Sequence, residues 1–177
     1  MCTSVRCTII RSYSVWTTQC ALRRSPVRNS AGISHLLAQV DFDLVMCQSV
    51  PIQEREFAEW HREQTERFQR SAELINNDFS IGWAAKAINV YLKTSAYVGD
   101  LGRPGLRSLL HPPIDTVLRN QILTRCGPEL AAEVSFRSIA SISTYGRYLE
   151  IMEGLRRFGQ TLAPPCALFE VEQFWAV

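Results

Sequence analysis

No aspartate or glutamate occurs in the first forty residues, although that stretch holds five arginines, at positions 6, 11, 23, 24 and 28. The rest of the chain carries fourteen basic residues against all seventeen acids, so the formal charge of +2 conceals a basic leader on a slightly acidic body. Such a body lacks the broad basic surface with which a dedicated nucleic-acid binder meets phosphate, and nucleic acid is not a favoured partner. No apolar run approaches the roughly 18 residues of a membrane-spanning helix. No secretory apolar block follows the N-terminus either, so no membrane partner is expected.

The six cysteines, at 2, 7, 20, 47, 126 and 166, form no CxxC pair, and no histidine stands three to five residues from another. Structural zinc sites usually show two close ligand pairs, so no metal is expected. Scattered thiols without a secretory signal suit a reducing compartment, and the cytoplasm is the expected location. The mitochondrion is the alternative, because residues 1–30 are rich in Ser, Thr and Arg and free of acid, as transit peptides are. The sequence also lacks GxSxG, GxxxxGK[ST], HExxH and GxGxxG, and no repeat is visible. No cofactor is expected.

What is present is a chain of 177 residues, 46% apolar and 20% charged, long enough to bury a core without disulfides. It divides into an Arg/Ser-rich leader or arm over 1–30 and a single helical domain over 31–177. The leader's Ser, Thr, Val and Ile are poor helix formers, so a poorly structured or arm-like N-terminus is expected. The alternation Val5-Arg6-Cys7-Thr8-Ile9 keeps a strand in view.

The body reads as all-α, a compact bundle of five to seven helices. Residues 33–47 are ambiguous. A helix from about 51 to 77, with Ser49 as its cap, places Phe57, Trp60, Gln64, Phe68, Ala72 and Ile75 on one stripe and charges on the other. The segment 82–98 is apolar on nearly every side and is therefore expected at the centre, with Trp83, Ile88 and Leu92 buried. GDLGRPG, residues 99–105, must turn the chain away from it. Further helices are expected from Asp115 to about 125, over 129–135, from Thr144 to a stop at Gly159, and over 167–175.

One polar line interrupts the apolar segment. Lys86, Asn89 and Lys93 fall at i, i+3 and i+7 and share a face. Two ammonium groups and a carboxamide in a row can hold a carboxylate or phosphate, and Arg107 stands on the loop that returns from the same helix. The bland reading is a wetted helix edge whose lysines reach water. His111 and Asp115 flank the rigid pair Pro112-Pro113, which makes His111 a candidate acid or base, or else a histidine bonded at a tight corner with Asp115 only a cap. Arg107 and His111 resemble the Arg–His pair of the helical HEPN ribonucleases, with a shorter spacing between them.

Two functions follow as expectations. The first is a binding or interaction module with an anion site at Lys86, Asn89, Lys93 and Arg107, whose partner is an anionic small molecule or a protein. The second is an enzyme acting on a phosphate-bearing or nucleic-acid substrate through Lys86, His111 and Asp115.

Overall fold

The computed structural model describes residues 4–175. Its regular structure is helical throughout, and no strand occurs among those residues. Helices α1 (Val5–Ala21), α2 (Ser30–Ala38) and α3 (Asp43–Met46) precede α4 (Glu54–Glu73) and α5 (Ile81–Leu92). A π-helical turn, Lys93–Val98, extends α5. Then come α6 (Leu106–Leu109), α7 (Thr116–Leu123), α8 (Pro128–Val134) and α9 (Tyr145–Thr161), with 3-10 turns at Ile139–Ser141 and Phe169–Trp175. The helical stretches outnumber the expected five to seven because the ambiguous segment 33–47 divides between α2 and α3, and Leu106–Leu109 closes a turn of its own.

Every residue of α5 is buried, including Trp83, Ile88 and Leu92. Helix α4 packs on it through Phe57, Trp60, Phe68 and Ala72, the three-to-four spacing that marks an amphipathic helix. Ile75 departs from that stripe. The helix stops at Glu73, two residues earlier, and Ile75 is half exposed. The start also differs from Ser49. The helix opens at Gln53, whose backbone N–H is met by the Glu56 carboxylate at 3.4 Å. Glu56 in turn pairs with Arg103, whose buried guanidinium also donates to the carbonyls of Val50, Leu44 and Pro51 at 2.9, 3.2 and 3.1 Å. Arg103 thus nails the 99–105 loop to the entrance of α4. The positive φ of Gly102 and Gly105, 128° and 86°, lets the loop make that approach. At the other end of α9, Gly159 is not a stop. The helix continues to Thr161, and Gly159 is the point where the Cys166 carbonyl presses against it; a Cβ there would stand 2.8 Å from that oxygen.

The N-terminal expectation also changes. Residues 5–21 form a helix packed on α5 and the π turn, and the hydroxyls that lower helix propensity are satisfied by bonds back to the preceding turn. Ser14 Oγ donates to the Ile10 carbonyl at 2.8 Å, Thr18 Oγ1 to Ser14 at 2.8 Å, and Ser4 Oγ caps the start by accepting from the Cys7 N–H. These satisfied hydroxyls form the inward face, with Cys7, Ser14 and Thr18 buried against α5 and the π turn. Arg11 fixes the helix to Asp43 of α3, and Arg6 donates to the Gly99 carbonyl at 3.1 Å. Leu22, which ends α1, is fully buried. Removing residues 1–24 therefore uncovers one side of α5. At ~1.5–3 kcal/mol for each large apolar side chain returned to water, urea unfolding of the truncated chain should show a loss of well over about 3 kcal/mol. An unchanged midpoint would show that α1 is only an appendage.

Candidate functional site

The two lysines of the α5 face, Lys86 and Lys93, are the only lysines in the chain; every other basic residue of the nineteen is arginine. Each meets a carboxylate. Lys86 Nζ lies 3.4 Å from Asp115 Oδ2, both side chains being nearly buried, and 5.9 Å from the centre of the Trp83 ring. Lys93 Nζ pairs with Glu172 Oε1 at 2.5 Å. Asp115 divides its two oxygens between two tasks. Oδ1 accepts from the Val117 and Leu118 N–H groups at 2.9 and 3.0 Å and caps α7, while Oδ2 takes Lys86 and the Trp175 indole N–H, the latter at 2.8 Å. Capping and ion pairing therefore coexist on one carboxylate.

The charges in this cluster are balanced at the cost of desolvation. Burial lowers the Lys86 ammonium pKa, and the Asp115 carboxylate opposes that shift. Burial also pushes Asp115 up, but the hydrogen bonds from Leu118, Trp175 and Lys86 outweigh it, and its carboxyl stands below the usual range. Glu172 is raised by burial, with Lys93 offsetting only part of the rise. Glu172 and Trp175 both come from the last turn, so the C-terminal segment closes over the polar face of α5.

Asn89, the middle member of the line, turns away from these charges into a neutral polar core. His61 of α4, His111, Tyr145 and Tyr148 of α9 join it, all buried. His61 Nε2 is 2.8 Å from Asn89 Oδ1, and His61 Nδ1 is 2.8 Å from the Tyr145 hydroxyl. Asn89 Nδ2 donates to the Tyr148 hydroxyl at 2.9 Å and to the Pro112 carbonyl at 3.4 Å, and the Tyr148 hydroxyl is 2.8 Å from His111 Nδ1. Simple accounting orders the protons. The Pro112 carbonyl only accepts, so the amide nitrogen of Asn89 faces it and the amide oxygen faces His61. His61 must then donate from Nε2, leaving Nδ1 to accept from Tyr145. Tyr148, having accepted from Asn89, donates to His111 Nδ1. The result is one directed chain from Tyr145 through His61, Asn89 and Tyr148 to His111, with both imidazoles neutral and protonated on Nε2. No buried side-chain nitrogen or oxygen among the described residues lacks a partner.

Burial holds these groups neutral. It lowers His61 to about 4, the Asn89 bond offsetting part of the fall. It lowers His111 well below the ordinary value, with His61 and Arg156 adding to the effect, and raises Tyr148 well above its own. The rings also pack tightly: His61 and His111 have centroids 4.8 Å apart, and His61 stacks on Tyr148 at 5.6 Å.

Of the residues singled out from sequence, Lys86 and Asp115 meet, Lys93 joins their cluster through Glu172, and Asn89 and His111 belong to the neutral core. Arg107 belongs to neither. It donates to the Tyr97 carbonyl at 2.6 Å, lies 3.2 Å from Asp100 and covers the Tyr97 ring. Sequence reasoning did not single out His61, Tyr148, Glu172 or Trp175 as site residues. His61 did have a signal, since it lies between Phe57 and Gln64 on the buried stripe of α4. Glu172 had none, being 79 residues from its lysine. Among the described residues no helix is long and apolar enough to cross a membrane, and no group of His, Cys, Asp and Glu could hold a metal ion. Comparison with known proteins finds no matching family model, no matching curated protein and no matching solved structure.

The histidines make stability depend on pH. Free His61 titrates near ~6.5 and the folded residue near about 4. Between those values the unfolded chain binds the extra proton, so stability falls as pH falls. His111 acts in the same direction, and Glu172, with a raised pKa, opposes it at the acid end. His61 alone contributes on the order of 3 kcal/mol of lost stability across this window. Urea-unfolding free energies measured from about pH 7 down to about pH 4 should decline accordingly. A flat profile would contradict the buried, neutral pair.

Proposed function

We propose that this chain is a non-enzymatic helical binding module whose Lys86–Lys93 face receives a carboxylate, and that its own C-terminal turn now supplies it. One observation carries the reading: Glu172 sits on Lys93 while also facing the charges of Lys86 and Asp115. An anionic ligand on this face would stand where that carboxylate stands. The segment around it adds the rest of a recognition element. Phe169 packs on Tyr97 at 4.6 Å, Phe174 meets Phe158 edge-on at 5.4 Å, and Trp175 bonds Asp115. The partner that fits is a protein segment of the same character, one carboxylate followed by aromatic residues. An attached segment competes at an effective concentration on the order of mM, so an outside segment must displace it.

The catalytic alternative through Lys86, His111 and Asp115 lacks comparable support, because His111 turns to Tyr148 and is enclosed by Phe57 and His61.

The test uses a fluorescent peptide with the sequence of residues 167–175 and the full chain. Glu172→Gln combined with Trp175→Ala loosens the attached segment, and this variant should bind the peptide at least about tenfold more tightly than the parent chain. Adding Lys93→Met should abolish the gain. Equal binding by all three proteins, or none by any, would overturn the reading.

A further inference from the structure

We propose that α1 is a second, independent interaction surface, and that it rests on an anionic lipid surface with Val5, Ile9, Tyr13 and Trp16 in the headgroup boundary. The helix is amphipathic the wrong way round for a domain that stands alone. Its inward face carries Ser14 and Thr18, fully buried and bonded to backbone, while Val5, Ile9, Tyr13 and Trp16 point outward with 76, 61, 52 and 54% of their surfaces exposed. Spacings of four, four and three residues put the four on one side of the helix. Tyr13 and Trp16 stack on each other at 5.4 Å in the open, so the two aromatic rings form a single outward plate.

The charges that α1 and the turn after it carry are all arginine. Arg6 and Arg11 are engaged, whereas Arg23, Arg24 and Arg28, just past the end of α1, are exposed and make no ion pair among the described residues, Arg24 and Arg28 lining a groove that Glu73 and Asp78 also line. With no acid in the first forty residues, nothing nearby in sequence offsets them. Exposed arginines at the end of an apolar stripe containing Trp and Tyr fit a surface that is apolar inside and anionic outside, which is the boundary of a bilayer rich in acidic lipid. A second copy of the same helix packed in parallel would bring guanidiniums against guanidiniums. A partner helix in a coiled coil needs a continuous apolar seam. Taking Ile9 and Trp16 as one line of that seam, the other line reads Arg6, Tyr13 and Cys20 on one side and Val5, Ser12 and Gln19 on the other, so the apolar seam is no longer than Ile9 to Cys20. Composition alone gave no sign of this surface, because polar residues separate its apolar ones along the chain.

The full chain should sediment with phosphatidylcholine vesicles containing phosphatidylserine, not with phosphatidylcholine alone, and salt should weaken the association. Ile9→Glu with Trp16→Glu should reduce that binding at least about tenfold and leave the thermal melt unchanged, both positions being exposed. Arg23→Glu with Arg24→Glu should remove most of the preference for acidic lipid. Failure to bind the acidic vesicles, or binding unaffected by Ile9→Glu and Trp16→Glu, overturns the proposal. So does a chain that ignores vesicles but sediments as a dimer which Ile9→Glu turns into a monomer; in that case the occupant is a second copy.

Discussion

A single carboxamide, that of Asn89, decides how four parts of this chain meet. It takes a proton bond from His61 on α4, gives one to Tyr148 on α9 and another to the Pro112 carbonyl on the return loop, and it stands itself on α5. In the low-dielectric interior a polar group without a partner is costly, about 1–3 kcal/mol for a neutral one. Each member of the chain therefore constrains the next. A rotation of α4 or a slide of α9 would strand a donor or an acceptor, whereas purely apolar contacts among the same helices would tolerate small shifts. The network fixes one packing among several that the apolar stripes alone would allow.

The charged cluster on the same helix works differently. Lys86 and Lys93 stand nearer the surface, and their partners lie far along the chain, in the cap of α7 and in the C-terminal turn. A buried ion pair contributes little net stability because desolvation opposes the attraction. Its consequence is positional: Glu172 and Trp175 tie the last turn over α5, and Asp115 links that turn to α7. Why lysine, in a chain that otherwise uses arginine, has a physical reason at Lys86. A compact ammonium fits between Asp115 and the Trp83 ring without the five donors a buried guanidinium would have to satisfy.

The helical class and the apolar character of α5 were legible because periodicity is local information, carried by residues three and four apart. The polar line was legible for the same reason, and Asp115 was within reach of inference as a carboxylate just past the return loop. The partners of Asn89 were not. His61, Tyr148 and the Pro112 carbonyl come from three different elements, and no local pattern says which buried polar groups will face each other. Helix ends misled at Gly159, where a glycine that reads as a stop is instead a point of close approach to Cys166. The N-terminus misled through propensity. Serine and threonine disfavour a helix when their hydroxyls compete for the backbone, but Ser14 and Thr18 bond carbonyls of their own helix and so add a buried face.

The central claim is the direction of the proton bonds through Asn89, and the nitrogen chemical shifts of the imidazole rings test it most directly. Nitrogen-15 NMR of the folded chain at about neutral pH should show His61 and His111 both uncharged, both protonated on Nε2, with each Nδ1 accepting a hydrogen bond. A spectrum in which either ring is charged, or carries its proton on Nδ1, would break the chain at that residue and with it the account of how α4, α5 and α9 are held in register.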